Sequence, residues 1–188
     1  MSIFKTIREK FQYWLLARAL KRLSRRKRTM GYRQAASFGI LYDASSEENY
    51  RQITLLVKDL QQDQKKVKTL GLVNLKKMPE YAFPKLTFEF CSPKDFAWDY
   101  TPKSQSVRDF IAQEYDVLID LSSAKMFHLK YLAATSGAAF KVGRYHDQQV
   151  NIFDLMLQVN DDTPHRETIE HTIFYLKMIN NDQPDINQ

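Results

Sequence analysis

Seven side chains stand where an apolar run gives way to a polar loop, a place where a carboxylate, hydroxyl or guanidinium can meet a ligand. Asp43 closes the run 37–42 and is followed by Ser45 and Ser46. Asp120 closes the run 115–119 and is followed by Ser122 and Ser123, and Arg144 follows Gly143 at the end of a third run. A carboxylate ending an apolar strand is costly unless it caps, pairs or works. Asp120 offers a general base or a ribose ligand, and Arg144 a partner for phosphate or carboxylate. Each also has a structural reading. Ser45 precedes Glu48 by three residues, the spacing of a capping box. Ser122 and Ser123 suit the cap of the next helix, and Lys125 is placed to pair with Asp120.

Other chemistry finds little material. The loop after the first run reads Asp-Ala-Ser-Ser-Glu-Glu, without glycine and with three acids, the reverse of a phosphate cradle. No Walker loop, Gly-x-Ser-x-Gly elbow or Gly-x-Gly-x-x-Gly fingerprint occurs. His128, His146, His165 and His171 form no His-x-x-x-His pair and none adjoins Cys91, so no metal centre is expected. The single cysteine, Cys91, excludes an intramolecular disulfide and reads as a small core residue. No catalytic residue and no cofactor is assigned. Phe96, Trp98 and Tyr100, in the loop 92–103, read either as a lip for a ligand or partner or as packing over the sheet edge.

Charge is the stronger signal. Residues 1–34 hold eleven bases and one acid, Glu9, for +10; the rest of the chain holds seventeen bases and twenty-one acids, for −4. A uniformly basic nucleic-acid-binding domain would not divide this way. Ile3, Ile7, Phe11, Trp14 or Leu15, Ala19 and Leu23 follow helical spacing, which predicts a basic amphipathic helix over 3–26, stopped near Gly31. Its candidates for meeting a polyanion are Arg18, Lys21, Arg22, Arg25, Arg26, Lys27 and Arg28. The surface met is RNA or the ribosome, through phosphate contacts, or an anionic membrane, with Phe4, Phe11, Trp14 and Leu15 entering the headgroup boundary. The alternative is that the apolar face packs on the domain or on a second copy.

These residues need elements to hold them. Apolar runs at 37–42, 67–75, 86–91, 115–121, 139–143 and 154–159 read as strands. Helical patterns lie between about 46 and 63, around Val107 and Phe110, over 124–135, and after Thr163-Pro164, where Ile169, Ile173, Leu176 and Ile179 face inward. Strands apolar on both faces and separated by helices call for a three-layer, doubly wound, mostly parallel α/β sheet of Rossmann-like type. The domain reading is a helical arm over 1–34, one α/β domain over 35–180, and a polar tail over 181–188. About 18 successive apolar residues occur nowhere, and no secretory leader is apparent, so a cytoplasmic protein is expected, with the arm able to hold it against the inner face of the membrane.

Tyr115-Asp-Val-Leu-Ile-Asp-Leu121, then a helix, then Ser136-Gly-Ala-Ala-Phe-Lys-Val-Gly-Arg144, resemble the N-terminal Rossmann-like half of the heptosyltransferase-type glycosyltransferases. The resemblance covers about thirty residues and implies the fold. That family needs a second Rossmann domain and donor-binding motifs, which are absent here, so the resemblance speaks against transferase activity. The whole layout, basic helix included, also resembles an uncharacterised family of small bacterial proteins of Bacteroidetes type. The function expected is a non-catalytic interaction module held on an anionic surface by its N-terminal helix, whose apolar face also suits a protein partner or a homodimer. The alternative is a small nucleotide- or sugar-phosphate-binding enzyme using the crevice around Asp43, Asp120, Ser122 and Arg144.

Overall fold

The structure, a computed structural model, describes residues 2–123, 125–145, 152–160 and 163–179, with backbone only for 2–6 and 8. His146 and the tail beyond 180, read above, lie outside the described residues, as do the side chains of Ile3, Phe4, Lys5 and Arg8.

Six strands form one parallel sheet: β1 (Ser37–Asp43), β2 (Lys66–Leu72), β3 (Phe88–Cys91), β4 (Val117–Asp120), β5 (Phe140–Arg144) and β6 (Leu155–Leu157). Their spatial order is β3-β2-β1-β4-β5-β6, so the chain winds outward from β1 in one direction and from β4 in the other. Right-handed crossovers then place the connecting helices of the two halves on opposite faces. Helix α2 (Glu47–Gln62), between β1 and β2, and the final helix α5 (His165–Met178) cover one face. Helices α3 (Gln105–Ala112) and α4 (Phe127–Thr135) cover the other. The expected three-layer, Rossmann-like α/β arrangement is present, preceded by helix α1 (Ser2–Arg22).

Alternation within each strand builds the two cores. In β1, Phe38, Ile40 and Tyr42 point toward α2 and α5, and Leu41 toward α3 and α4. In β4, Val117 and Ile119 join the first core and Leu118 the second. Burial on both faces explains why these strands read as unbroken apolar runs. Cys91 lies in the second core at 0% exposure, and burial pushes its thiol far up, away from thiolate chemistry.

Helix α1 crosses the outer side of α4. It enters near the carboxyl ends of the strands, where Gln12 Nε2 donates to Tyr100 Oη (2.8 Å). It leaves at the amino ends, where Arg28 N donates to Ala139 O (3.1 Å). The segment after it joins the fold tightly: Met30 and Tyr32 are buried, and Tyr32 N donates to Leu176 O (2.9 Å). Gly31 is required there, because a Cβ would stand 2.1 Å from the Ile179 carbonyl oxygen.

Some element ends differ from expectation. Helix α1 stops at Arg22, four residues before the expected end, since the chain must turn extended to hand Arg25 and Arg28 to β5. The N-cap of α2 is Ser46, whose hydroxyl accepts from Asn49 N; Ser45 Oγ accepts from Asn74 N instead (2.9 Å), so the Ser45–Glu48 box does not form. Helix α4 starts after Met126 with no side-chain cap, which leaves Ser122 and Ser123 outside it.

Candidate functional site

The switch point of the sheet lies between β1 and β4, where ligands of such folds sit at the carboxyl ends. Asp43, Ala44 and Ser45 follow one strand, and Asp120, Leu121 and Ser122 the other. Their polar groups are turned to the protein. Asp43 Oδ1 accepts from Ser45 N (2.9 Å), and Ala44 N donates to Leu72 O (2.9 Å). Asp120 Oδ1 accepts from Ser122 N, also at 2.9 Å, and Leu121 N donates to Leu41 O. The N–H groups that would cradle a phosphate are therefore already engaged.

Asp120 is paired, but not with Lys125. Its other oxygen takes the ammonium of Lys130 at 2.7 Å, and both side chains have no solvent exposure. Lys130 sits one turn into α4 and faces the sheet, with the Phe153 ring 5.3 Å away. A carboxylate so matched is a structural ion pair rather than a free base. Ser122 Oγ is buried without a partner among the described residues, and Ser123 contributes its carbonyl to Met126 N.

A second group gathers at the same end of the sheet. Arg144, buried, donates from Nη2 to Thr168 Oγ1 on α5 (2.8 Å). His165, first residue of α5, lies within electrostatic reach of Arg144 and Asp43. Burial, and then the Arg144 charge, push its imidazole down to about 4, against a smaller opposing effect of Asp43. Its Nε2 is buried with no hydrogen-bond partner among the described residues. Nothing in the local pattern singles out His165 among the histidines, because its neighbours come from β1 and β5.

The basic residues separate into two kinds. Arg25 is structural: its guanidinium grips Asp154 at 2.8 and 2.7 Å, donates to the carbonyls of Ala138 and Ala139, and keeps a side chain only 5% exposed. Burial would raise the Asp154 carboxyl, but the Arg25 fork, the Lys141 N–H and the nearby Lys27 charge outweigh it and hold the carboxyl below its usual range. Lys27 lies 3.7 Å from Asp154, and Arg28 3.8 Å from Asp116, both largely exposed. Arg18, Lys21, Arg22 and Arg26 are exposed and take part in no ion pair among the described residues.

The apolar stripe of α1 also divides. Leu15 and Leu16 are buried against the body, whereas Ile7 and Trp14 are 58% and 54% exposed. Ile7, Trp14 and Lys21 recur every seventh residue, with Lys10 and Arg18 one turn to either side of Trp14, so all five share the outward face. The loop after β3 extends that face. Ala97 N donates to Thr101 O and Tyr100 N to Ala97 O, and Tyr100 takes φ 64°, a left-handed conformation rare outside glycine. This tight loop buries Phe96, packs Tyr100 on Phe127 and His128, and turns Trp98 outward at 82% exposure. Phe11 stacks with both tryptophans, at 5.8 Å from Trp98 and 6.0 Å from Trp14, and the Arg18 guanidinium lies 5.3 Å from the Trp14 ring. Phe96 and Tyr100 pack against the body, as the packing reading expects, whereas Trp98 is exposed.

Residues 8–179 match DUF6913, a family of unknown function. The chain belongs to that family. The match takes in α1 from residue 8 onward together with all six strands, so the basic helix and the sheet fall within one family unit. No curated protein and no solved structure matches the chain.

Proposed function

We propose that this protein is a non-catalytic module that docks on an anionic membrane surface through the outward face of α1 and the Trp98 loop. The observation that carries the reading is the pairing of two surface tryptophans with exposed bases that are in no ion pair among the described residues, all on one face. Large aromatics left in water beside cations suit the headgroup boundary, where ring and charge are both accommodated. Helix α1 lies along the body, so an amphipathic insertion here is shallow and in-plane. No helix among the described residues is long and apolar enough to cross a membrane. Each base close to an anionic leaflet contributes about 1 kcal/mol.

RNA would use the same charges and could stack bases on Trp14 and Trp98, but gives no reason for the aliphatic Ile7 to stay exposed beside them. The test is co-sedimentation of the full chain with vesicles of phosphatidylcholine alone or with an anionic lipid, beside a ribosome pellet. The expected result is binding to anionic vesicles only, weakening as salt rises, and at least about tenfold weaker in Trp14→Ala/Trp98→Ala with unfolding unchanged. Binding to ribosomes alone, or full vesicle binding by the double variant, would remove the membrane reading.

A second reading, a nucleotide- or sugar-phosphate-binding protein, draws support from the unpartnered His165 Nε2 beside Arg144. Saturable binding of a nucleotide or sugar phosphate, lost in His165→Ala with the fold retained, would favour it.

A further inference from the structure

Behind the outward face of α1, a cleft of about 300 Å³ opens between α1, α4 and the Trp98 loop. Its floor is apolar, from Leu15, Ala19 and Leu23, and polar groups from three elements line the rest. Arg18 and Arg22, one helical turn apart, reach it from the exposed side of α1, and neither is in an ion pair among the described residues. The Trp98 loop brings Thr101 and Asp99, and α4 brings Tyr131 and Thr135, so each of these elements supplies a hydroxyl beside an acceptor. Asp99 spends one oxygen on Thr101 N (3.1 Å), and Thr135 has given its proton to the Tyr131 carbonyl (2.9 Å), which leaves both with lone pairs to offer.

Two guanidiniums match a phosphate, and a planar fork can hold two of its oxygens at once. A carboxylate within the same cleft is adverse to a bare phosphate and asks for a donor on the ligand. A phosphodiester that carries hydroxyl groups satisfies both halves, with the anion on the arginines and the hydroxyls on Asp99 and Thr135. The position also selects the source. Arg18 lies against Trp14, and Trp98 stands on the residue before Asp99, so the cleft opens beside the aromatic patch that would lie at headgroup level.

Resting on the membrane-docking reading above, we infer that this cleft is a headgroup subsite for an anionic polyol phospholipid, of the phosphatidylglycerol kind, with Arg18 and Arg22 on the phosphate and Asp99 on the polyol. The docking face therefore distinguishes between anionic lipids of equal charge. A surface that read charge alone would not.

The test uses the full chain and three sets of vesicles: phosphatidylcholine with phosphatidylglycerol, phosphatidylserine or phosphatidic acid, the anionic fraction of each chosen to give the same surface potential. Phosphatidylglycerol vesicles are expected to bind about tenfold more tightly than phosphatidylserine vesicles, the effect of one or two charge-assisted hydrogen bonds. Asp99→Asn should erase that preference while keeping binding to all three, and Arg22→Gln should weaken phosphatidylglycerol most. Glycerol 3-phosphate in solution, added as competitor, should reduce the preference without abolishing docking. Equal binding to all anionic vesicles, or a preference that survives Asp99→Asn, overturns the subsite and leaves membrane docking standing. No binding to any vesicle overturns both.

Discussion

Lys130 lies ten residues after Asp120 and closes over it from the next helix, so the charge most suggestive of catalysis in the sequence is neutralised inside the fold. A buried pair of this sort is unforgiving of partial removal. Lys130→Met should cost about 3–5 kcal/mol in denaturant unfolding, because the carboxylate is left uncompensated, whereas Asp120→Leu/Lys130→Met should recover most of it. Full stability in the single variant would show that the pair is not closed in solution. His165 makes a prediction of opposite kind. Its folded-state value of about 4 lies below the ordinary 6.5, so the unfolded chain takes up a proton first as pH falls. Its contribution is complete above about pH 6.5 and is lost as pH drops toward 4, an effect of the order of 3 kcal/mol. His165→Asn should flatten the stability curve across that window, which thermal unfolding at several pH values would reveal.

Helix α1 is the element whose role is most divided. One stripe is core, with Leu15 and Leu16 buried, and the adjoining stripe is surface, with Ile7, Trp14 and Arg18 facing out. The hydrophobic spacing read along the sequence runs through both, because Ile7 and Trp14 obey helical periodicity as well as Leu15 does. The two stripes should separate by mutation. Leu16→Ala should cost about 2–4 kcal/mol by opening a cavity against α4, and Trp14→Ala should cost little stability. Equal losses in a urea titration would mean that α1 packs by a different face. The Arg25 fork on Asp154 ties the end of this element to the start of β6, across 129 residues of chain. Removal of the first 31 residues would therefore strip packing and an ion pair, and not merely an appendage.

Across the molecule the two faces differ in charge. The outward face of α1 holds bases without an acid among them, while the groove between α2 and α5 on the opposite face mixes Asp59, Asp63 and Glu170 with Arg166 and Lys177. Under the docking proposal, such a body would meet an anionic surface with the α1 side turned toward it. The chain has two tryptophans, and both stand on the α1 side. Its intrinsic fluorescence therefore reports that face without labels. Addition of anionic vesicles should shift the emission to the blue, and lipids brominated near the headgroup should quench it more than lipids brominated deep in the chain. Unchanged emission in the presence of saturating vesicles would place the contact elsewhere.

The layer class and most element positions follow from local pattern alone. Phe38–Tyr42 and Val117–Ile119 are apolar on both faces, as strands of a parallel sheet covered by helices on each side are. The charge division between residues 1–34 and the remainder was equally legible, since it needs only counting. Tertiary structure decided the rest. Strand order, the pairing of Asp120 with Lys130 rather than Lys125, the partner of Arg25 and the company of His165 all depend on which distant segments the crossovers bring together. The sorting of Phe96, Trp98 and Tyr100 into core and surface depended on a single left-handed residue, Tyr100, which turns the loop over and points Trp98 to solvent. Local pattern encodes which side chains are apolar; the direction in which each one faces is a property of the packed molecule.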